Sequence, residues 1–98
     1  METIFNNSKA KRKSYLRRYA HYKLRRLLRH YPCDFKASVT FSKEKKNKNI
    51  CGINLSLPGT NIYAAHSETN IRKAINNVIK DLEIMLEHRK TTLLHKCI

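Results

Sequence analysis

The chain is poor in the residues that build most phosphate loops and most catalytic sites. Its two glycines, Gly52 and Gly59, do not cluster, so no glycine-rich loop is available to cradle a nucleotide on backbone N–H groups. Asp and Glu number 7 against 21 Lys and Arg, and their scatter leaves no group placed for a two-metal nuclease centre. Cysteine is odd in number, at Cys33, Cys51 and Cys97; that spacing argues against a disulfide framework and for a reducing compartment. His95 and Cys97 lie close together but lack a second ligand pair, so no zinc site is expected. No apolar run approaches the ~18 residues a bilayer-spanning helix needs. The N-terminus has neither the apolar stretch nor the small-residue cleavage site of a secretory signal. These absences lead to the expectation of a soluble cytoplasmic domain, monomeric when free, with no metal, no cofactor, no membrane partner and no small-molecule substrate.

Positive charge is what the chain has in excess. Its 98 residues carry a formal net charge of +14, and the sequence pI is near 10.1. Self-repulsion of that size disfavours a compact state. A polyanionic partner offsets it, because each neutralised phosphate releases counterions and adds affinity. The apolar fraction of 41% is that of an ordinary globular chain, enough for one core in one domain.

The charge is unevenly placed. Lys9, Lys11, Arg12, Lys13, Arg17, Arg18, Lys23, Arg25, Arg26 and Arg29 follow one another with no acid among them. Like charges four apart cost helix stability, a cost that bound phosphates relieve. Tyr15, Tyr19 and Tyr22 interleave with the arginines, and aromatic rings and guanidinium planes stack on unpaired bases. For Tyr19 and Tyr31 a core position is the better reading. A solvated face is the plainer account of the arginines; a domain pI above 9 favours nucleic-acid binding.

Hydrophobic spacing gives the frame. Thr3-Ile4-Phe5 is a short candidate strand. From Ser8, Leu16, Ala20, Leu24, Leu27 and Tyr31 recur at helical steps and define one buried face. Arg18, His21, Tyr22, Arg25 and Arg29 lie opposite it, with Lys23 and Arg26 on its flank, and Pro32 forbids continuation. Residues 35–41 alternate, with Phe35, Ala37, Val39 and Phe41 inward. Ser42 to Asn49 reads as a lysine-rich hairpin loop, either a second phosphate contact through Lys43, Lys45, Lys46 and Lys48 or a solubilising tip. Ile50 to Leu57 alternates again, with Cys51, Ile53, Leu55 and Leu57 inward. Pro58-Gly59 marks a turn, and Asn61 to His66 is a further strand with Ile62, Ala64 and His66 on one side. Ser67 and Thr69 are candidate N-caps. The helix that follows has a wide apolar stripe of Ile71, Ala74, Ile75, Val78, Ile79, Leu82, Met85 and Leu86, with Lys73, Asn76, Asn77, Lys80, Ile84 and Glu87 outward. His88, Arg89 and Lys90 close it, where cations suit both the helix dipole and RNA. Residues 91–98 read as a frayed or loosely docked tail, so a single domain spans 1–90.

The outcome is an α+β chain in the order β-α-β-β-β-α: an antiparallel-rich four-stranded sheet with both helices on one face. Of the five histidines, His21 and His30 fall off a common site and His66 is expected to pack under a helix, so no acid–base pair for RNA cleavage is assembled.

That order resembles the ribosome hibernation promoting factor family, also called ribosome-associated translation inhibitors, over nearly the whole chain. The local likeness is carried by Asn61-Ile62-Tyr63-Ala64-Ala65, Asn70-Ile71-Arg72-Lys73-Ala74-Ile75, Val78-Ile79-Lys80-Asp81-Leu82 and His88-Arg89-Lys90, and by Lys23 and Arg26 where the family has lysines. The resemblance implies binding to 16S rRNA in the decoding region of the small ribosomal subunit. It implies contact through Arg18, Tyr22, Lys23, Arg25, Arg26, Arg29, Lys73, Lys80, His88, Arg89 and Lys90, and steric exclusion of mRNA and tRNA without chemistry. Three features depart from the family: Asn6-Asn7 replaces a glycine, Lys80-Asp81 reverses a common order, and Ile84 stands where an arginine is frequent. With Glu83 and Glu87 nearby, they shift the expected weight of binding to the first helix. The alternatives are a double-stranded RNA-binding domain, whose α-β-β-β-α order is close, and a small toxin-type ribonuclease. A membrane-surface protein fails because both apolar helix faces are needed by the sheet.

Overall fold

The computed structural model describes residues 2–6, 14–31, 34–44, 47–57 and 59–96. In chain order the elements are β1 (Glu2–Asn6), α1 (Ser14–Leu28), β2 (Lys36–Glu44), β3 (Lys48–Leu57), β4 (Thr60–Glu68), α2 (Ile71–His88) and α3 (Lys90–Lys96). The four strands form one sheet in sequential order. The short run at Thr3-Ile4-Phe5 is a true edge strand, paired parallel to β2 with Thr3 opposite Ala37 and Phe5 opposite Val39. A parallel neighbour requires a crossover, and α1 supplies it. β2–β3 and β3–β4 are antiparallel, bringing Val39, Ile53 and Ala64 into one row across the sheet.

Period-two alternation sends Phe35, Ala37, Val39, Phe41, Cys51, Ile53, Leu55, Leu57, Ile62 and Ala64 to one face, where all are buried. Leu16, Ala20, Leu24, Leu27 and Tyr31 of the first helical segment meet them there, together with Leu28. From α2 come Ala74, Ile75, Val78, Ile79, Leu82 and Leu86, with Ile71 and Met85 packed partly at the rim. Both helices therefore cover the same face, as their stripes require. The opposite face is open. Its middle carries Ser38, Thr40, Gly52, Asn54, Ser56 and Ala65, none of them charged, with the Tyr63 ring, 60% exposed, reaching across to Gly52.

Several local expectations are corrected. Residues 42–49 are not a broad loop: β2 and β3 stay paired out to Glu44 opposite Lys48, and the tight turn uses Asn47 at φ 62, a left-handed value that asparagine tolerates. Lys43 and Lys48 are therefore strand residues, while Lys45 and Lys46 lie outside the described residues. The N-cap of α2 is Asn70, not Ser67 or Thr69; its side chain accepts the Arg72 N–H at 2.9 Å. Ser67 is still in the sheet, opposite Ile50, and the Thr69 carbonyl accepts from Asn49 Nδ2 at 2.9 Å. Residues 91–96 are helical, in α3, and Leu93 is only 2% exposed. His66 does not pack fully beneath the helix: it is half-buried and its Nε2 meets Asp81 Oδ2 at 2.5 Å. The basic arm of Lys9, Lys11, Arg12 and Lys13, the helix start at Ser8, Pro32, Pro58, Cys33 and Cys97 lie outside the described residues.

Candidate nucleic-acid interface

The outer surface of α1 is set by its helical period. Because Leu16, Ala20 and Leu24 face the core, Arg18, Tyr22, Arg25 and Arg29 fall on the far side, and all four are exposed. No acidic residue occurs in the first turn, and Arg25 and Arg26 occupy the last, where cations meet the negative end of the helix dipole. Regular helix stops at Leu28, and a tightened turn follows, with the Tyr31 N–H donating to the Leu28 carbonyl at 3.0 Å. That turn brings the Tyr31 side chain back into the core and leaves Arg29 and His30 in solvent.

Four contacts fix how α2 lies beside α1. The Tyr19 hydroxyl donates to Asn76 Oδ1 at 2.9 Å, and the Tyr31 hydroxyl donates to Glu87 Oε1 at 3.2 Å. Arg72 lies 5.8 Å from the Tyr15 ring and 5.6 Å from the Tyr19 ring. Early positions of one helix meet early positions of the other, so the two run in the same direction. Their outer surfaces form one platform. The outward ridge of α2 carries Lys73, Lys80 and Ile84, all exposed, while His88, Arg89 and Lys90 gather at its end. Asn76 and Asn77, expected to face outward, are half-buried and engaged; Asn77 donates to Glu68 Oε1 at 3.2 Å. Glu87 is exposed as expected, and it also accepts from Tyr31.

All eleven residues that the sequence singles out for RNA contact are thus on the helical side of the molecule. Ten are exposed, and Lys23 is half-buried, its ammonium 5.6 Å from the Tyr19 ring centre. Arg26 lies 5.7 Å from the Tyr22 ring and donates to its hydroxyl at 3.4 Å. His21 does not belong to the outer ridge: its Nδ1 shares a hydrogen bond with Thr3 Oγ1 at 3.2 Å, toward β1. Two residues outside the expected set join the platform, Tyr15, which is 52% exposed, and Arg72. The interleaving of tyrosines signals the first. Nothing local signals the second, since its proximity to Tyr15 and Tyr19 depends on how two distant helices align.

Among the described residues two groups have displaced proton affinities. Tyr31 is pushed up to about 12 by burial, by the charge of Glu87 and its hydrogen bond, and by Glu83. The Cys51 thiol, wholly inside the core, is pushed up to about 12 by burial, so it is not a nucleophile near neutrality. Among the described residues no group of three His, Cys, Asp or Glu is placed to hold a metal ion, and no helix is long and apolar enough to cross a membrane.

Comparison with known proteins follows the same line. Residues 8–93 match the family described as Sigma 54 modulation protein / S30EA ribosomal protein. No curated protein sequence matches the chain. Among solved structures, the fold is similar to the N-terminal domain of Protein Y from Thermus thermophilus, with a TM-score of 0.78 and 23% identity, covering 90% of this chain and 98% of that one. It is also similar to a ribosomal subunit interface protein from Coxiella burnetii, with a TM-score of 0.74 and 22% identity, covering 93% of this chain and 99% of that one. At these identities the structural likeness establishes the fold.

Proposed function

The chain belongs to the Sigma 54 modulation protein / S30EA ribosomal protein family, whose members are ribosome-associated, and from that membership we propose that it silences idle ribosomes by lodging in the RNA-lined channel of the small subunit. The observation that carries this reading is the acid-free outer ridge of α1 and the turn after it, where Arg18, Tyr22, Arg25 and Arg29 are all exposed. The partner is 16S rRNA of the decoding region. The description of the Coxiella burnetii relative as a ribosomal subunit interface protein supports that location.

The mechanism is exclusion. Guanidinium groups on α1 engage phosphates, which releases counterions and holds the protein in place. Tyr15 and Tyr22 are exposed and supply rings on which unpaired bases stack. Lys73 and Lys80 extend the contact onto α2, and His88, Arg89 and Lys90 extend it past the helix end. With the channel filled, mRNA and tRNA have no room to enter, and no covalent step is needed.

Charge reversal tests it. Arg25→Glu, Arg26→Glu and Arg29→Glu combined should abolish co-sedimentation with purified small subunits and restore translation in vitro, while leaving the fold intact, since all three side chains are exposed. Undiminished co-sedimentation of the triple variant overturns the reading. So does competition in which free duplex RNA strips the wild-type protein from intact subunits.

A further inference from the structure

Between the outer surfaces of α1 and α2 lies a cleft of about 560 Å³, within the size range of small-ligand sites. Leu27, Ile79 and Tyr31 line it at depth, and its two sides differ in charge. Lys23, Arg26, Arg29 and His30 stand on the α1 side; Glu83 and Glu87 stand on the α2 side, with Lys90 past the end of that helix. For a protein that binds only phosphate backbone, carboxylates facing its arginines are a disadvantage. Yet no ion pair joins these acids to these cations among the described residues. Glu87 is held by the Tyr31 hydroxyl at 3.2 Å. Glu83 is exposed, and among the described residues no hydrogen bond or ion pair engages its carboxylate.

A ligand that fits this cleft presents an anion to one rim, two hydrogen-bond donors to the other, and a flat apolar body to the floor. A nucleotide does so, and its base is restricted further. A carboxylate accepts two parallel hydrogen bonds from adjacent donors, and among the RNA bases only guanine offers adjacent N–H donors, at N1 and N2. Adenine and cytosine offer one amino group beside an acceptor, and uracil one N–H between two acceptors. We propose that the cleft is a guanine nucleotide site, with the Watson–Crick edge of the base on Glu83 and its phosphate on Arg26 and Arg29. The net charge of +14 favours a guanosine splayed out of an RNA strand as the source; the same contacts admit a free guanine nucleotide. This rests on the RNA-binding reading above and adds base selectivity to it.

The test uses the full chain and three uridine decamers: one with a central guanosine, one with a central inosine, and one of uridine alone. Fluorescence anisotropy of the wild-type protein should show the guanosine decamer bound about tenfold tighter than the all-uridine one, the size expected of one bidentate pair. Inosine, which lacks the N2 amino group, should fall between. Glu83→Ala should bring the guanosine-to-uridine ratio to about one while affinity for the all-uridine decamer holds or rises, because an acid has been removed from a basic surface. A merely electrostatic role for Glu83 would strengthen all three decamers alike and leave the ratio as it was. A wild-type ratio near one, or a ratio that survives Glu83→Ala, overturns the proposal and leaves co-sedimentation with small subunits standing. Failure of every decamer to bind at low salt overturns it together with the RNA-binding reading. Competition with guanosine and adenosine 5′-monophosphates separates the sources: displacement by the guanine nucleotide alone means the cleft also takes free nucleotide, and displacement by neither, with the decamer preference intact, means that it reads RNA.

Discussion

Tyr31 shows how a residue can be legible in position and illegible in chemistry. Its spacing from Leu24 and Leu27 is enough to assign it to the core, where it is 7% exposed and meets Phe35 edge-on, with ring centroids 6.4 Å apart. Its partner Glu87 is 56 positions away, and no local pattern announces it. The pairing has a pH consequence. Folding raises the Tyr31 pKa from 10.0 to about 12, so the unfolded chain gives up this proton first. The stability linked to it is fully present below pH 10 and is lost as pH rises toward 12. The Cys51 thiol, raised from 9.0 to about 12, acts in the same direction from a lower starting point. Tyr31→Phe keeps the ring in the core and removes one of the two titrations. Thermal melts from pH 8 to 11.5 should show a shallower alkaline fall in Tm for this variant than for the wild type, and parallel curves would contradict the assignment. His66 is the converse case: its side of the sheet was readable, but its contact with Asp81 depends on where α2 crosses β4.

At the scale of elements, long periodic segments were readable and their ends were not. The apolar stripe of α2 was visible because its eight positions repeat from Ile71 to Leu86, over about four and a half turns. The strands were visible because each alternates against one covered face. The hairpin was obscured, since Ser42, Lys43, Lys48 and Asn49 are as polar as a loop although they stay paired; backbone hydrogen bonding outruns the hydrophobic signal there. The N-cap is ambiguous in sequence because Ser67, Thr69 and Asn70 all have capping side chains; the structure decides it by how far β4 remains zipped to β3. The short helix α3 was missed for a related reason. Thr91-Thr92-Leu93 is too brief for periodicity to register, and its start is tied to the end of α2 by the Arg89 carbonyl, which accepts the Leu93 N–H at 2.9 Å. Leu93→Ala should therefore lower the unfolding free energy by about 2–3 kcal/mol, the cost of an imperfectly healed core cavity, as read by urea titration. A change under about 0.5 kcal/mol, the range of exposed substitutions, would mean that the segment is a detached tail.

For the molecule as a whole, the distribution of charge was legible in outline. The acid-free stretch marked α1, and α1 with the turn after it carries Arg18, Arg25, Arg26 and Arg29, all exposed. The cleft was hidden, because its opposing rims come from residues that are neighbours only after α1 and α2 are laid side by side. A molecule held by many phosphate contacts obeys a quantitative rule in salt: each contact adds about 0.7 to the slope of log affinity against log salt on single strands. Arg18→Ala should flatten the slope measured with the all-uridine decamer by about that amount, and an unchanged slope would remove Arg18 from the interface. The uncharged middle of the open sheet face, from Ser38 and Thr40 to Asn54 and Tyr63, then has a kinetic meaning. With Arg18, Arg25, Arg26, Arg29, Lys73 and Lys80 on the helices, and Lys36 and Lys48 only at the ends of the sheet's back, the protein has a charge asymmetry across its short dimension. In the field of a polyanion such an asymmetry exerts a torque that turns the helices toward it. For the proposed RNA contact, that torque shortens the rotational search that slows most specific docking.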